Sequence, residues 1–470
     1  MAANDKVELL ANGEVKRLVI RLSIPTIIIM LVSALYNAAD TFFVSRLGTE
    51  QTAAVGIAFS YMAIVQALGF FFGHGSGNFI SRAMGAGKKE EAENMAVTAL
   101  VLAFSTGVVL MVIGLTFKSQ LARLFGATDT ILPYAVQYLQ YVFIGTPFIL
   151  SSFTLNNQLR FQGQAGSAMV GMLSGALLNI GLDPLFIYVF NMGITGASVA
   201  TMISQIVGFA ALVTISFRKG TIKYNFRNVL FKKFYFLNIA KGGLPSLIRQ
   251  SIASVAVICL NHEAGLFGDS AIAAFTVSNR ILMLVVSAVL GLGQGFQPVC
   301  GFNYGAKKYA RVKQAFFFAL ILSVGVLTVL AAIMAVFAPQ IVGLFTENDT
   351  EVIRIGAMAL RFQCITLPLS GLIVLVNMLL QTIGRTLGAS LLALSRQGIF
   401  LIPLIYIFSR TVGLEGLIYA VPVADAFAFA LALFLGIKEI ARITALGKAV
   451  PVAENENIDV PPPPVIYSED

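Results

Sequence analysis

The chain contains twelve apolar runs, each long enough to cross a lipid bilayer. The runs are continuous over about 20–28 residues, which is typical of membrane-spanning helices and excludes the short alternating strands of a β-barrel. Hydrophobic residues make up 57% of the sequence and charged residues only 12%, against roughly 25% charged residues in soluble domains. The sequence therefore predicts an all-α polytopic membrane protein with twelve transmembrane helices.

The predicted spans divide the chain into two lobes. The N-lobe, residues 18–217, and the C-lobe, residues 243–437, contain six spans each. The twelve ranges are 18–44, 53–80, 95–117, 131–158, 166–190, 195–217, 243–267, 272–300, 314–337, 353–381, 386–409 and 414–437. Residues 218–242 are basic and predict an amphipathic linker lying along the membrane. Residues 1–17 show no cleavable signal pattern, and the polar, proline-rich residues 438–470 predict a disordered tail.

The basic residues are distributed unevenly around these spans. Among the 32 Lys and Arg residues, those in external loops are Arg46, Lys118, Arg123, Arg354 and Arg410, and those within spans are Arg249, Arg280, Arg361 and Arg396. The others lie in segments predicted to be cytoplasmic. Because cytoplasmic loops of membrane proteins are enriched in Lys and Arg, we expect both termini in the cytoplasm and the chain in the plasma membrane. The net charge of +9 follows from this distribution and does not indicate nucleic-acid binding.

The sequence repeats itself at an offset of 220 residues. The residues that match are Pro25 with Pro245, Gly48 with Gly268, Gly73 with Gly293, Gly85 with Gly305 and Gly193 with Gly413. Each copy contains six spans, an even number, so both copies enter the membrane in the same orientation and form parallel repeats. This architecture favours a transporter with a central cavity between two lobes. A channel is less favoured, because channels usually assemble from short subunits around a pore.

Few residues could carry enzyme or metal chemistry. Cys259, Cys300 and Cys364 lie in apolar runs at unrelated spacings, which indicates packing residues. The two histidines, His74 and His262, belong to different repeats and fit no catalytic pattern. We therefore expect neither enzymatic activity nor a bound cofactor.

Three stretches, together with the repeat, carry a resemblance to a known family. They are SIPTIIIMLVSALYNAADTFFVSRLG in the first span, GHGSGNFISRAMGAGKKEEA at the end of the second, and LLNIGLDPLFIYVFNMGITGASVATMIS in the fifth and sixth. From about residue 15 to 440 the chain resembles the multidrug and toxic compound extrusion (MATE) family, in its DinF-like branch and close to bacterial MepA-type exporters. The resemblance implies a cation-coupled antiporter of the bacterial inner membrane that exports amphipathic, often cationic, drugs and toxic compounds.

The resemblance also implies a cation site in the N-lobe. Its members would be Asp40, Asn179, Asp183 and Thr201, with the backbone carbonyl of Ala197 as a further ligand. Counting along the spans places Asp40, Asp183 and Thr201 at one depth, ~9–12 Å below the outer surface. Two carboxylates, an amide and a hydroxyl at one depth suit a proton or Na⁺. We favour the proton, while Na⁺ at Asp40 and Asp183 stays open and no other metal is expected.

The C-lobe offers fewer acids. NorM-like relatives place an acid on the tenth span, but the tenth span here has none. Glu263 lies near the outer end of the seventh span, and Asp425 lies in the middle of the twelfth. Asp425 either pairs with Arg361 or Arg280 or contacts substrate. A second ion site in the C-lobe therefore stays open.

Other polar residues and prolines complete the predicted site. Candidates for the substrate cavity are Tyr36, Asn37, Asn156, Asn157 and Asp425. The first two lie about one turn from Asp40, whereas the neighbouring asparagines of the fourth span either line the cavity or satisfy backbone groups at a helix end. Pro25 and Pro184 are candidate hinges, because proline interrupts the hydrogen-bond ladder of a helix.

The expected partners are small amphipathic drug-like substrates and membrane lipids, and we expect a monomer. The alternative function is a flippase for a lipid-linked or polyisoprenoid substrate. Such flippases carry more cavity arginines and often extra spans, which disfavours that alternative here.

Overall fold

The protein is helical through most of the residues that the computed structural model describes, which are 3–219, 222–346 and 349–449. The first half contains α1 (Ala3–Asn12), α2 (Val15–Ser45), α3 (Thr49–Gly85), α4 (Lys89–Thr116), α5 (Lys118–Leu124), α6 (Leu132–Phe161), α7 (Ala165–Pro184) and α8 (Gly193–Lys219). The second half contains α9 (Lys233–Gly265), α10 (Asp269–Gly305), α11 (Tyr309–Val336), α12 (Ala338–Gly343), α13 (Thr350–Thr382), α14 (Thr386–Leu394), α15 (Ile402–Thr411) and α16 (Leu414–Ala449). Side chains are described throughout these ranges except at positions 3–6, 34–35, 37–38 and 219.

The long helices agree in number with the predicted spans. Within the described residues, eleven helices are long and apolar enough to cross a membrane. Two of the eleven contain a π-helical segment: Leu185–Val189 continues α7, and Ser395–Leu401 joins α14 to α15. The helix α2, with 31 residues, holds the first predicted span. The predicted all-α membrane fold with twelve transmembrane helices is confirmed.

The internal repeat is visible in the helix boundaries. The helices α3 and α10 begin and end 220 residues apart, and so do α4 and α11. The backbone follows the repeat even where the residue type changes. Gly87 and Lys307 occupy matching turns, with φ of 75° and 56°. A lysine in this left-handed region is strained by its Cβ atom, so the turn geometry is retained against the preference of the residue.

Two segments differ from their predictions. The helix α16 continues to Ala449, so the predicted disordered tail is wrong for residues 438–449. The buried side chain of Ile443 and the ion pair between Arg385 and Glu439 (3.5 Å) hold this part of the helix against the protein. The remaining residues of the predicted tail, 450–470, lie outside the described residues.

The predicted amphipathic linker is the second difference. Between α8 and α9 the described chain forms one 3-10 turn, Phe226–Asn228, and α9 already begins at Lys233. The last residues of the predicted linker belong to α9 because Gly242 and Gly243 pack directly against the backbone of α3. They therefore contact the other lobe and do not form an amphipathic segment along the membrane.

The two lobes meet through their first two helices. The helix α2 packs on α10 and α3 packs on α9, as the repeat symmetry requires. We call the end of the bundle where α1 lies the α1 end. In the half of the bundle next to that end, a Cβ atom added to Gly75 would overlap the carbonyl of Ile239, and one added to Gly295 would overlap Ser23. Gly75 and Gly295 are repeat mates, so the same close contact seals the lobes on both sides.

Candidate functional site

A cluster of buried polar side chains lies inside the N-lobe. We call it the N-lobe cluster, and its members are Tyr36 and Asp40 from α2, Tyr138 from α6, Asn179 and Asp183 from α7, and Thr201 from α8. Apart from Tyr36, each is 1% exposed or less. Four helices thus bring together four of the five residues predicted for the cation site, along with two tyrosines.

Neutral donors hold the two carboxylates. The hydroxyl of Tyr138 donates to Oδ2 of Asp40 at 3.0 Å. The amide of Asn179 donates to Oδ1 of Asp183 at 3.3 Å and to the hydroxyl oxygen of Thr201 at 3.3 Å. Asn179 and Asp183 stand four residues apart, which places their side chains on one face of α7. The asparagine thereby links α7 to α8.

Three buried oxygens of the cluster have no hydrogen-bond partner. They are Oδ1 of Asp40, Oδ2 of Asp183 and Oδ1 of Asn179. Among the described residues, no basic side chain forms an ion pair with either acid. An unpaired carboxylate inside a protein is costly as an anion, so these oxygens are suited to bind a cation.

The backbone around Asp183 is irregular. Pro184 ends the α-helical hydrogen-bond pattern of α7, and the next residues form the π-helical segment Leu185–Val189. The amide of Phe190 closes this segment by donating to the carbonyl of Leu185 at 2.9 Å. A proline removes a backbone donor, and π segments occur frequently at functional sites. Asp183 therefore sits where the helix changes its winding.

The family comparison agrees with the repeat. The MatE family model matches residues 25–185 and 245–407, one match in each repeat. The chain belongs to the MatE family. The resemblance inferred from the motifs is confirmed.

Relatives and solved structures resemble this MatE protein over most of its length. Multidrug export protein MepA of Staphylococcus aureus (strain MSSA476) is 29% identical over 409 residues, 86% of this chain and 89% of that protein. A structure described as "Outward-facing conformation of a multidrug resistance MATE family transporter of the MOP superfamily" matches with a TM-score of 0.87 and 31% identity, over 93% of this chain and 98% of the other. A second, described as "Crystal structure of MATE in the bent conformation", matches with a TM-score of 0.88 and 31% identity, over 94% and 99%.

Sequence reasoning missed Tyr138 as a member of the site in this MatE protein. Its position was nevertheless accessible, because it lies about seven residues into a span that begins at the same surface as Asp40 and Asp183. Ala197 is buried one turn before Thr201 on α8, and the role of its carbonyl stays a prediction. Asn37 is a predicted cavity residue whose side chain lies outside the described part of the chain.

The asparagine pair of α6 has a packing role in the structure. Asn156 donates to the carbonyl of Ala168 at 3.1 Å, and its repeat mate Asn377 donates to the carbonyl of Ala389 at 2.7 Å. Each asparagine ties the fourth helix of its lobe to the fifth. Of the two alternatives for Asn156, the structure favours the satisfaction of backbone groups at a helix end.

Asp425 pairs with a residue that the sequence did not indicate. Its carboxylate accepts two hydrogen bonds from Arg396, at 2.6 and 3.2 Å, and lies 3.4 Å from the hydroxyl of Thr366. Arg361, one of the two predicted partners, instead donates to the carbonyl of Ala335. Asp425 is therefore already neutralised, in contrast to the two acids of the N-lobe cluster.

Glu263 is a buried acid outside both groups. Its side chain is 2% exposed, and His262 lies 3.5 Å from one of its oxygens. The other oxygen has no hydrogen-bond partner. A second ion site in the C-lobe therefore remains a prediction for Glu263, whereas the ion pair of Asp425 disfavours one there.

Hydrogen bonds across the lobes reinforce the closed α1 end. Arg160, 1% exposed, reaches from α6 to the carbonyl of Gln294 at 2.6 Å. Its repeat mate Gln381 reaches in the opposite sense to the carbonyl of Gly242 and the hydroxyl of Ser246, both at 2.7 Å. Sequence reasoning missed Arg160, which lies two residues past the predicted end of the fourth span. Because α6 continues to Phe161, this arginine becomes part of the contact between lobes.

Proposed function

We propose that this MatE protein is a cation-coupled antiporter that exports amphipathic, often cationic, drugs and toxic compounds from the bacterial cytoplasm. The observation that carries the proposal is the pair of buried carboxylates, Asp40 and Asp183, whose described partners are all uncharged. The MepA relative, a multidrug export protein, supports drugs as the substrate class.

The proposed coupling ion is a proton, with Na⁺ as the alternative. Each carboxylate keeps one oxygen without a partner, which is sufficient to accept a proton. The described residues contain no group of three or more His, Cys, Asp or Glu side chains that could hold a metal. A Na⁺ ion would therefore depend on amide, hydroxyl and carbonyl oxygens, among them Asn179, Thr201 and Ala197.

Protonation would act on the irregular part of the N-lobe. Two anionic carboxylates in one buried cluster repel each other, and binding a proton removes that repulsion. We propose that α7 then shifts at Pro184, or α2 at Pro25, and that the lobe closes on its substrate. Export requires the reverse state, in which the α1 end opens to the cytoplasm, so the contacts at that end would act as the inner gate.

Drug tolerance tests this function. Expression of the wild-type chain in a bacterium that lacks its own efflux pumps should raise the inhibitory concentrations of cationic dyes and quaternary ammonium biocides. The matched control is the double variant Asp40→Asn, Asp183→Asn at the same level in the membrane, which should not raise them. Unchanged tolerance to the whole panel for the wild-type chain would contradict drug export and direct attention to the flippase alternative.

A further inference from the structure

A cavity of about 470 Å³ opens at the α1 end of the bundle, away from the N-lobe cluster. Its walls come from both lobes. Arg82 and Phe79 near the end of α3 form one side, and Lys307 and Tyr304 near the end of α10 form the other. Phe234, in the first turn of α9, completes the apolar part of the wall. The cavity therefore exists only where the two lobes come together.

The charge of this cavity is positive. Besides the two cations already named, Lys88 and Glu91 line it, and these two form an ion pair of 2.9 Å with each other. Arg82 donates to the carbonyl of Thr382, a neutral group, and Lys307 has no ion-pair partner among the described residues. One uncompensated cation from each lobe thus faces the cavity.

The turns that carry these cations are held in direct contact. A Cβ atom added to Gly85 would overlap the carbonyl of Phe302, and one added to Gly305 would overlap the carbonyl of Arg82. These two glycines are repeat mates, so the turns after α3 and α10 meet back to back. The cations on both sides of the cavity are close to each other only while this contact is made.

Aromatic side chains flank the cavity. The rings of Phe79 and Phe234 meet edge to face at 5.6 Å. Phe234 is 49% exposed, and Phe231 and Phe236 next to it in sequence are exposed as well. A cationic cavity bordered by exposed aromatic rings at the end of membrane-spanning helices combines a site for an anionic head group with a surface for acyl chains.

We propose that this cavity binds the phosphate head group of an anionic phospholipid from the leaflet at the α1 end. Arg82 and Lys307 contact the phosphate, and the acyl chains lie against Phe234. The choice of the cytoplasmic leaflet rests on the orientation given with the proposed function. The phosphate bridges one cation of each lobe, so the bound lipid stabilises the state in which the α1 end is closed.

Lipid binding to the purified full-length protein in detergent tests the proposal without any transport assay. Native mass spectrometry gives the affinity for phosphatidylglycerol and for phosphatidylcholine, and we expect clear preference for the anionic lipid. The variant Lys307→Gly removes the charge and retains a residue suited to the left-handed turn, as Gly87 shows. It should bind phosphatidylglycerol about five-fold more weakly. Lys307→Arg should restore the affinity.

The matched control is Lys89→Gln, an exposed lysine of the neighbouring turn that does not line the cavity. It should leave the affinity unchanged. Equal loss in Lys89→Gln and Lys307→Gly, or equal binding of both lipids, would overturn the proposal. Inorganic phosphate and glycerol 3-phosphate serve as head-group probes. If either displaces the lipid from the cavity at a concentration near the affinity of the lipid itself, the occupant is a soluble phosphate and the lipid is excluded.

Discussion

At the scale of single residues, the structure separates acids that can bind a cation from an acid that cannot. Asp40 and Asp183 are buried with uncharged donors, Tyr138 and Asn179. Asp425 is equally buried, but a guanidinium neutralises it. The cost of an unpaired buried charge falls when a cation binds, whereas a paired carboxylate gains little. This difference assigns coupling to the N-lobe in our proposal.

We expect Asp40→Asn and Asp183→Asn each to insert into the membrane and to lower coupled efflux at least about tenfold, because an amide takes up no proton at neutral pH. The measurement uses reconstituted vesicles containing a pH-sensitive dye. Addition of drug should release proton flux with the wild-type chain and not with either variant. Replacing the proton gradient by a Na⁺ gradient shows which ion is used.

The control for this experiment is Asp129→Asn. Asp129 is exposed and pairs with Arg123 in a loop, so its loss should leave coupling intact. Retained coupling in both N-lobe variants would move the ion site elsewhere, with Glu263 as the first candidate.

At the scale of helices, Pro25 and Pro245 occupy matching places in the contact between lobes. Pro25 lies well inside α2, which begins at Val15, so it is not a residue of the first helical turn. The residue after each proline bonds to the opposite lobe: Thr26 donates to the carbonyl of Gly291 at 2.6 Å, and Ser246 contacts His74 at 2.7 Å. A helix that lacks a backbone hydrogen bond next to such a contact can bend while the contact changes.

We expect Pro25→Ala to slow drug efflux from vesicles about tenfold, because restoring the backbone donor favours a straight helix by roughly 3 kcal/mol. Protein amount and ion binding should stay normal. Pro133→Ala is the control, since Pro133 lies in the first turn of α6, where proline interrupts no hydrogen bond. Normal efflux by Pro25→Ala would exclude bending of α2 as a required step.

The glycine contacts of α3 give a second prediction at this scale. Gly75→Ala should loosen the closed α1 end by about 1–3 kcal/mol, since its Cβ atom would overlap the carbonyl of Ile239. Gly56→Ala on the same helix meets open space and serves as control. Cys300, fully buried in α10 next to Arg82, is a natural reporter in a background lacking the other two cysteines.

Maleimide labelling of Cys300 should become about tenfold faster in Gly75→Ala. The same rate in Gly75→Ala and Gly56→Ala would show that the glycine contact does not control the gate.

At the scale of the whole molecule, the two repeats share their framework and differ in their chemistry. The gate residues are paired by the repeat, such as Arg160 with Gln381 and Gly75 with Gly295. The acids of the N-lobe cluster have no such counterparts, because Leu260 stands at the position matching Asp40 and Leu404 at the position matching Asp183. Symmetric lobes with one polar cluster suit a transporter in which one lobe senses the ion and both lobes move.

The orientation of the molecule can be tested with two single cysteines in a cysteine-free chain. Lys89→Cys is exposed near the α1 end, and Thr130→Cys is exposed between α5 and α6 at the opposite end. A membrane-impermeant maleimide should label Thr130→Cys in intact cells and Lys89→Cys only after permeabilisation. The reverse pattern would contradict both the predicted cytoplasmic termini and the export direction.

The sequence by itself determined the framework of this protein. Apolar runs of bilayer length specify the number of spans, because a membrane leaves a long apolar segment little alternative to a helix. The 220-residue register is a property of residue order, and it predicted helix boundaries that the structure reproduces in α3, α4, α10 and α11. The depth of Asp40, Asp183 and Thr201 followed from counting along helices.

Only the tertiary structure decided which side chains meet. Tyr138 with Asp40, Arg396 with Asp425 and Arg160 with Gln294 join helices far apart in sequence. Spacing along one helix defines depth and face, but the partner of a residue depends on how neighbouring helices rotate and how closely they approach. That approach is set here by glycines such as Gly75, whose role becomes visible only when the backbone of Ile239 lies against it.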